Sequence, residues 1–294
     1  MTRIRSGDSS MIDDRRGSAV GGGGFGGLGG LPIPIKAGGG LLGLVVLLAS
    51  VFLPRLLNGG TQSAIGTSQQ SKTADVADGT CNSDLEQIVC GATVDVQTYW
   101  QENLPRFFGT DYEVTKTVFF TDATDTGCGQ ASSQTGPFYC PADHLVYIDL
   151  GFMQALEQQL IGTATDLAEQ YIVAHEYGHH VQNLVGTSAQ VHRAEQNDPG
   201  RANQYSVALE LQADCYAGMW VGDAASRGLL DPNEIQEALN AAAGVGDDRI
   251  QQKTQGRIDK EAWTHGSAEQ RQQWFTRGYN SGDPGQCDTF SEVL

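Results

Sequence analysis

The segment from His175 to Gln182 reads HEYGHHVQ, and it restricts the possible folds of this chain more than any other stretch. On a helix, His175 and His179 lie one turn apart on the same face. Two imidazoles placed in this way can both reach one zinc ion. Glu176 is rotated by about 100° along the helix, so it can lie beside the ion and accept a proton from a water that the ion activates. The spacing therefore predicts a zinc site on a helix.

The residues around this motif also favour a helix. Thr165 is a candidate N-cap, apolar residues follow at helical spacing, and Gly186 is a candidate residue just beyond the C-terminus. His180 lies off the predicted ligand face. We therefore expect His180 to be a surface histidine or a supporting one, and not a ligand.

A catalytic zinc site usually has three protein ligands and one open position. A third histidine in the pattern HExxHxxGxxH is excluded, because Gln182 and Val185 stand where that pattern needs glycine and histidine. The later stretch SVALELQADCYAGMW places Glu210 and Asp214 on one helical face. We expect Glu210 to be the third ligand and Asp214 to accept the free ring N–H of a ligating histidine. The alternative is a solvated acidic stripe, which the apolar neighbours disfavour because buried unpaired carboxylates are costly.

Four separated stretches resemble one family. They are GPFYCPADHLVYIDLGF, HEYGHHVQNLVG, ELQADCYAGMW and THGSAEQRQQWFTRGYNSGDPGQCDTF. They look like the putative neutral zinc metallopeptidases of bacteria, which are membrane-anchored proteins with one extracytoplasmic domain, and the HExxH and ExxxD spacing also resembles the gluzincins. The resemblance implies zinc-dependent peptide hydrolysis, with His175 and His179 as zinc ligands. It further implies that Glu176 is the catalytic base and Glu210 a ligand.

A zinc peptidase also needs a donor for the oxyanion that forms when the carbonyl is attacked. His265 precedes Ser267, which together with Gln270 makes a capping box that opens a helix. A side chain at such a rigid position suits the task, so we predict His265 as the donor, with Tyr139 and Tyr205 as weaker candidates. The alternative for His265 is an ordinary surface histidine in a turn.

The first 80 residues lack the pattern of a folded core. Residues 1–36 contain the run GGGGFGGLGG and are predicted to be a disordered cytoplasmic segment. Residues 37–54 carry no charge and are predicted to form a transmembrane anchor, with a cleaved signal peptide as the alternative. Basic residues are concentrated before this stretch, which places the N-terminus in the cytoplasm and the rest outside. Residues 55–80 are a predicted linker, and residues 81–294 a predicted zinc metallopeptidase domain.

All six cysteines follow the predicted span, as expected of disulfides in an oxidising compartment. Short loops favour two pairs, which leaves a third: Cys81–Cys90, Cys128–Cys140 and Cys215–Cys287. Thiolate zinc ligands are disfavoured because the chain has no C-x-x-C. The net charge of −17 likewise disfavours nucleic acid binding through a basic patch.

The order of the predicted elements indicates an α+β fold, mainly helical with a small sheet, of the zincin-like kind. Residues 84–104 are a predicted helix, interrupted at Gly91 and ended by Pro105. Residues 113–120 and 144–150 are predicted strands, separated by a loop. We expect residues 144–150 to be an edge strand that holds the substrate backbone, with an ordinary core strand as the alternative.

Four helices are expected after the strands. They are the HExxH helix, the Glu210 helix, one from the Asp231–Pro232 cap and one from Ser267. The sequence as a whole predicts a membrane-anchored, extracytoplasmic zinc peptidase with a peptide or protein substrate. A non-catalytic, zinc-stabilised binding module on the cell surface is the alternative, and zinc-dependent hydrolysis of a non-peptide bond is a third.

Overall fold

The computed structural model describes residues 3–17, 80–156, 166–230 and 234–293. The described helices are α1 (Asp84–Phe108), α2 (Leu150–Leu156), α3 (Asp166–Leu184), α4 (Thr187–Asn197), α5 (Ala202–Ser226), α6 (Ile235–Gly244), α7 (Asp247–Gln255), α8 (Ala268–Ser281) and α9 (Phe290–Val293). The described strands are β1 (Ile12–Asp14), β2 (Thr117–Phe120), β3 (Ala123–Thr126), β4 (Gly129–Ser132), β5 (Phe138–Cys140) and β6 (Leu145–Asp149). This α+β composition, mainly helical with a small sheet, confirms the prediction at that level.

The main sheet has the strand order β1-β2-β6-β5. β1, β2 and β6 are parallel, whereas β5 runs antiparallel to β6. The prediction that residues 144–150 form an edge strand is wrong, because β6 lies between β2 and β5 and its residues Val146, Tyr147 and Ile148 are buried. The edges of the described sheet are β1 and β5, and β5 falls in the stretch predicted as a loop. A strand of only three residues offers too short an alternation to be read from sequence.

Helix α1 is longer than predicted and has no interruption at Gly91. The N-terminal segment crosses the helix at this glycine, where an added Cβ would lie 2.7 Å from the Arg5 Cα. Pro105 does not end the helix, which continues for three more residues to Phe108. The helix ends at Gly109, which adopts a φ of 67° and donates its N–H to the Pro105 carbonyl.

Residues 3–17 are part of the fold, so the prediction of a disordered segment is wrong for this stretch. β1 pairs in parallel with β2, and both Ile4 and Ile12 are buried in the main core. The Arg5 guanidinium makes a bidentate ion pair with the Asp166 carboxylate at the start of α3, with N–O distances of 2.8–3.1 Å. Sequence patterns missed the segment because only two apolar side chains anchor it.

Several predictions lie outside the described residues. They concern residues 18–36 of the predicted disordered segment, the transmembrane helix at 37–54, residues 55–79 of the predicted linker, the cap at Thr165 and the helix start at Asp231–Pro232. Among the helices that the structure does describe, none combines the length and apolarity needed to cross a membrane.

The helices that carry the site pack with their main chains in contact. A Cβ added at Gly278 of α8 would lie 1.9 Å from the Cys215 carbonyl oxygen of α5, and one at Gly218 would lie 2.1 Å from the Phe275 oxygen. Glycine at both positions therefore permits this close approach. The six cysteines form the three predicted disulfides, and the pair Cys215–Cys287 ties α5 to the chain after α8.

Candidate active site

Helix α3 presents His175 and His179 to α5, which carries Glu210. The Glu210 carboxylate faces both rings, with 3.1 Å from Oε2 to His175 Nε2 and 3.4 Å from Oε1 to His179 Nε2. The two helices approach closely at Gly178, where an added Cβ would lie 3.0 Å from the Ala213 carbonyl oxygen. The structure thus brings together the three residues that the sequence predicted as ligands.

This donor set fits a zinc ion. One ligand atom from each of His175, His179 and Glu210 lies within 4.8 Å of the others. Two imidazole nitrogens and one carboxylate oxygen are a combination that zinc commonly binds. Burial raises the pKa of Glu210, but the charges and hydrogen bonds of the two histidines outweigh burial and hold it well below its usual range. The half-buried carboxylate is therefore anionic and suited to a cation.

His175 is held from behind by Asp214, as predicted. Its Nδ1 lies 2.9 Å from Asp214 Oδ1, and the Asp214 carboxylate is completely buried. Arg271 of α8 donates to both oxygens of Asp214 at 2.7 and 2.9 Å, and the Tyr171 hydroxyl donates to Oδ1. Burial raises the Asp214 pKa, but Arg271 and His175 lower it by more, so the carboxylate stays charged.

The sequence did not identify Arg271 as part of the site. It lies 57 residues after Asp214, and only the packing of α8 on α5 makes the two meet. One signal was available, since Arg271 precedes the apolar pair Trp274 and Phe275 by one helical turn and so shares their buried face.

Glu176 lies in the wall of the same cavity and is itself 7% exposed. Burial raises its pKa, while the charges of His175 and His179 lower it by less. The backbone of Tyr139 in β5 contributes a hydrogen bond to the carboxylate. Glu176 is not one of the three clustered ligands, but it lines the same cavity wall.

His265 also lines this cavity. The Asp247 carboxylate holds it, with 3.2 Å from Oδ1 to the ring Nδ1, and its Oδ2 accepts the backbone N–H groups of Thr264, His265 and Gly266. Burial lowers the His265 pKa, but Asp247 and Glu210 raise it by more. The turn is therefore rigid and buried, and the alternative of a surface histidine is wrong. Asp247 was missed because it lies 18 residues away on α7.

The two tyrosines and His180 have other surroundings. Tyr139 lines the cavity, but its hydroxyl is engaged with His180 Nδ1 and Asn183 Nδ2, both at 3.0 Å. Burial lowers the pKa of His180 to about 4, so it is a neutral supporting histidine and not a surface one. Tyr205 packs under the Arg201 guanidinium, 5.8 Å from its ring centre. The described cavity lining does not include Tyr205.

The cavity has a volume of about 910 Å³ and is bounded by β5 and by residues of α2, α3, α4, α5, α7 and α8. His175, His179 and Glu210 form part of its wall. Much of the remaining lining is apolar and includes Phe152, Leu156, Ile172, Val191, Val245 and Ile250. The three clustered ligands therefore face a large cavity with a mainly apolar lining.

A family model described as putative neutral zinc metallopeptidase matches residues 1–290. The chain is 40% identical over 292 residues to the uncharacterized protein YpfJ of Escherichia coli (strain K12), with 98% of both chains covered. It is 50% identical over 206 residues to the uncharacterized protein Rv2575 of Mycobacterium tuberculosis (strain ATCC 25618 / H37Rv), with 67% of both chains covered. No solved structure matches the chain. The family match includes the N-terminal segment that carries β1.

Proposed function

The chain belongs to the family of putative neutral zinc metallopeptidases, and from this membership and the geometry of the site we propose that it hydrolyses peptide bonds with a zinc ion. One observation carries the proposal: the ligand atoms of His175, His179 and Glu210 lie within 4.8 Å of one another in the wall of a large cavity. Glu176 lines the same wall. Three ligands beside an open cavity are typical of a catalytic zinc site, whereas a structural site is closed by four.

His175, His179 and Glu210 would hold the ion. When bound, zinc supplies Lewis-acid polarisation of a carbonyl and lowers the pKa of a water at the site. Glu176 takes the proton from the attacking water and later passes it to the leaving amine. The raised pKa of the buried Glu176 carboxyl favours this exchange, because it makes the carboxylate a stronger base.

His265 is proposed to donate a hydrogen bond to the oxyanion. Asp247 accepts from the ring Nδ1, so Nε2 can donate to the cavity only when the ring is a protonated imidazolium, the form that Asp247 and Glu210 favour by raising the pKa of His265. The three backbone N–H groups on Asp247 fix the turn, so the ring needs little reorganisation when charge develops.

The substrate backbone is proposed to pair with β5. This strand is at the edge of the described sheet, and both Phe138 and Tyr139 line the cavity. An extended peptide can add to such an edge through main-chain hydrogen bonds, which place its carbonyl groups in a fixed register. In this proposal β5, and not residues 144–150, is the edge strand that binds the substrate backbone in a zincin-like arrangement.

We propose an extracytoplasmic location for the domain, on the basis of its three disulfides. Residues 3–17 belong on the same side, because β1 cannot join the sheet of a domain across a membrane. The proposal therefore departs from the expectation of a cytoplasmic N-terminus. The apolar residues 37–54 are proposed to attach the protein to the membrane from that side.

Peptide-library cleavage mapped by mass spectrometry tests the proposed function. We expect cleavage that stops when a chelator removes the metal and returns when zinc is restored. Stoichiometric zinc binding with no cleavage of any peptide would favour the non-catalytic binding module instead.

A further inference from the structure

The partner that holds His179 differs in kind from the carboxylate behind His175. His179 Nδ1 lies 2.8 Å from Gln182 Oε1, and Gln182 is completely buried. The Gln182 amide nitrogen donates to the Leu209 carbonyl at 2.7 Å and to Gln212 Oε1 at 3.1 Å. A chain of buried amides thus extends from the candidate ligand on α3 into α5.

Two main-chain carbonyls fix the direction of this chain. The Gln212 amide nitrogen donates to the Cys287 carbonyl at 3.1 Å. A carbonyl oxygen can only accept, so the groups that face Leu209 and Cys287 are the NH₂ groups of the two glutamines. Reversing either amide would place two oxygens against each other. The oxygen of Gln182 therefore faces His179, whose Nδ1 must carry the proton.

We propose that Gln182 and Gln212 are positioning residues that hold His179 in the tautomer required for metal binding. With the proton on Nδ1, the lone pair is on Nε2, the nitrogen that lies 3.4 Å from Glu210 Oε1. The inference rests on the proposed zinc site. It adds that zinc affinity depends on two residues that do not bind the metal.

A neutral amide also suits the charge of the site. Behind His175, the Asp214 carboxylate has a partner in Arg271. The groups bonded to the Gln182 amide nitrogen, the carbonyl of Leu209 and the amide of Gln212, are neutral. A second buried carboxylate there would lack the compensation that Asp214 has. The amide orients the ring without adding that charge.

Chelator competition on purified protein tests the proposal through zinc affinity, independently of peptidase activity. Gln182→Leu and Gln212→Leu are each expected to weaken zinc binding about 10–100-fold. Gln212→Leu is the sharper variant, because Gln212 does not touch His179. Gln97→Leu is the matched control, since Gln97 is also buried and bridges the backbone groups of Thr115, and it should leave zinc affinity unchanged.

The outcomes separate this inference from the proposed function. If Gln182→Leu does not fold, Gln212→Leu decides the question alone, because Gln212 contacts Gln182 and not His179. Zinc affinity of Gln212→Leu equal to that of Gln97→Leu overturns the inference and leaves the proposed function standing. Wild-type protein that binds no zinc overturns both.

Discussion

At the scale of single residues, each histidine in the site has a buried partner that fixes its ring. Asp214 holds His175, Gln182 holds His179, and Asp247 holds His265. Rings fixed in this way need not reorganise when a ligand or a developing charge arrives. Because each ring has its own partner, the effect of replacing one histidine can be measured while the other two rings stay in place.

Replacing His265 by alanine tests its role as the oxyanion donor. The variant should keep its zinc and its fold but lose about 10²–10³-fold in kcat, the usual cost of removing one such donor. Steady-state kinetics on a cleaved peptide, with zinc content measured on the same sample, checks this. A kcat within a few-fold of wild type would show that His265 only completes the turn.

The sequence predicted the ligands because their spacing within each helix is local. His175 and His179 are one turn apart, as are Glu210 and Asp214, so each pair shares a helical face. Arg271 could not be found in this way, because its contact with the site depends on how one helix packs against another. Local patterns carry no information about such packing.

At the scale of elements, the contact between α5 and α8 positions Arg271. Gly278→Ala would place a methyl group 1.9 Å from the Cys215 carbonyl oxygen, so the helices must separate. We expect a loss of about 1–3 kcal/mol in the free energy of unfolding, or more, as is usual for overpacking. Chemical denaturation measures it. Gly7→Ala, where the structure has open space, is the control and should have little effect.

A second element-scale prediction concerns the attachment of the N-terminal segment. Arg16 makes ion pairs with Asp14 and Glu86. Burial raises the pKa of both carboxyls, but their hydrogen bonds and Arg16 lower it by more. Since the folded-state pKa values are lowered, this stability is present above the ordinary carboxyl pKa of about 4 and is lost as the pH falls further.

Arg16→Gln should therefore lower Tm at pH 7, and its difference from wild type should shrink when the pH falls well below 4. Thermal melts over this pH range test the prediction. Arg249→Gln, at an exposed arginine, is the control. A difference between Arg16→Gln and wild type that is constant with pH would show that these ion pairs do not stabilise the attachment.

At the scale of the whole molecule, the N-terminal segment and the domain are one folded unit. Residues 3–17 contact the start of the segment that begins at residue 80, since the Thr80 hydroxyl lies 3.1 Å from Asp14 Oδ2. The sequence did not predict that residues 3–17 join the domain, because the uncharged stretch 37–54 is the strongest pattern in the first 80 residues. Fifteen residues with a three-residue strand give no comparable signal.

Reporter fusions at the two ends of the chain test this arrangement. A reporter placed before Met1 and one placed after Leu294 should report the same compartment, which the disulfides predict to be outside the cytoplasm. The measurement compares the two fusions in intact cells. A cytoplasmic signal from the first together with an external signal from the second would contradict the pairing of β1 with β2.

In the proposed mechanism, a zinc ion held by His175, His179 and Glu210 works together with Glu176 to cleave peptide bonds. The most direct measurement compares wild type and Glu176→Gln for bound zinc and peptide hydrolysis in the same preparations. We expect equal zinc content and no detectable hydrolysis by the variant, because glutamine cannot accept the proton. Hydrolysis by Glu176→Gln at the wild-type rate would contradict it.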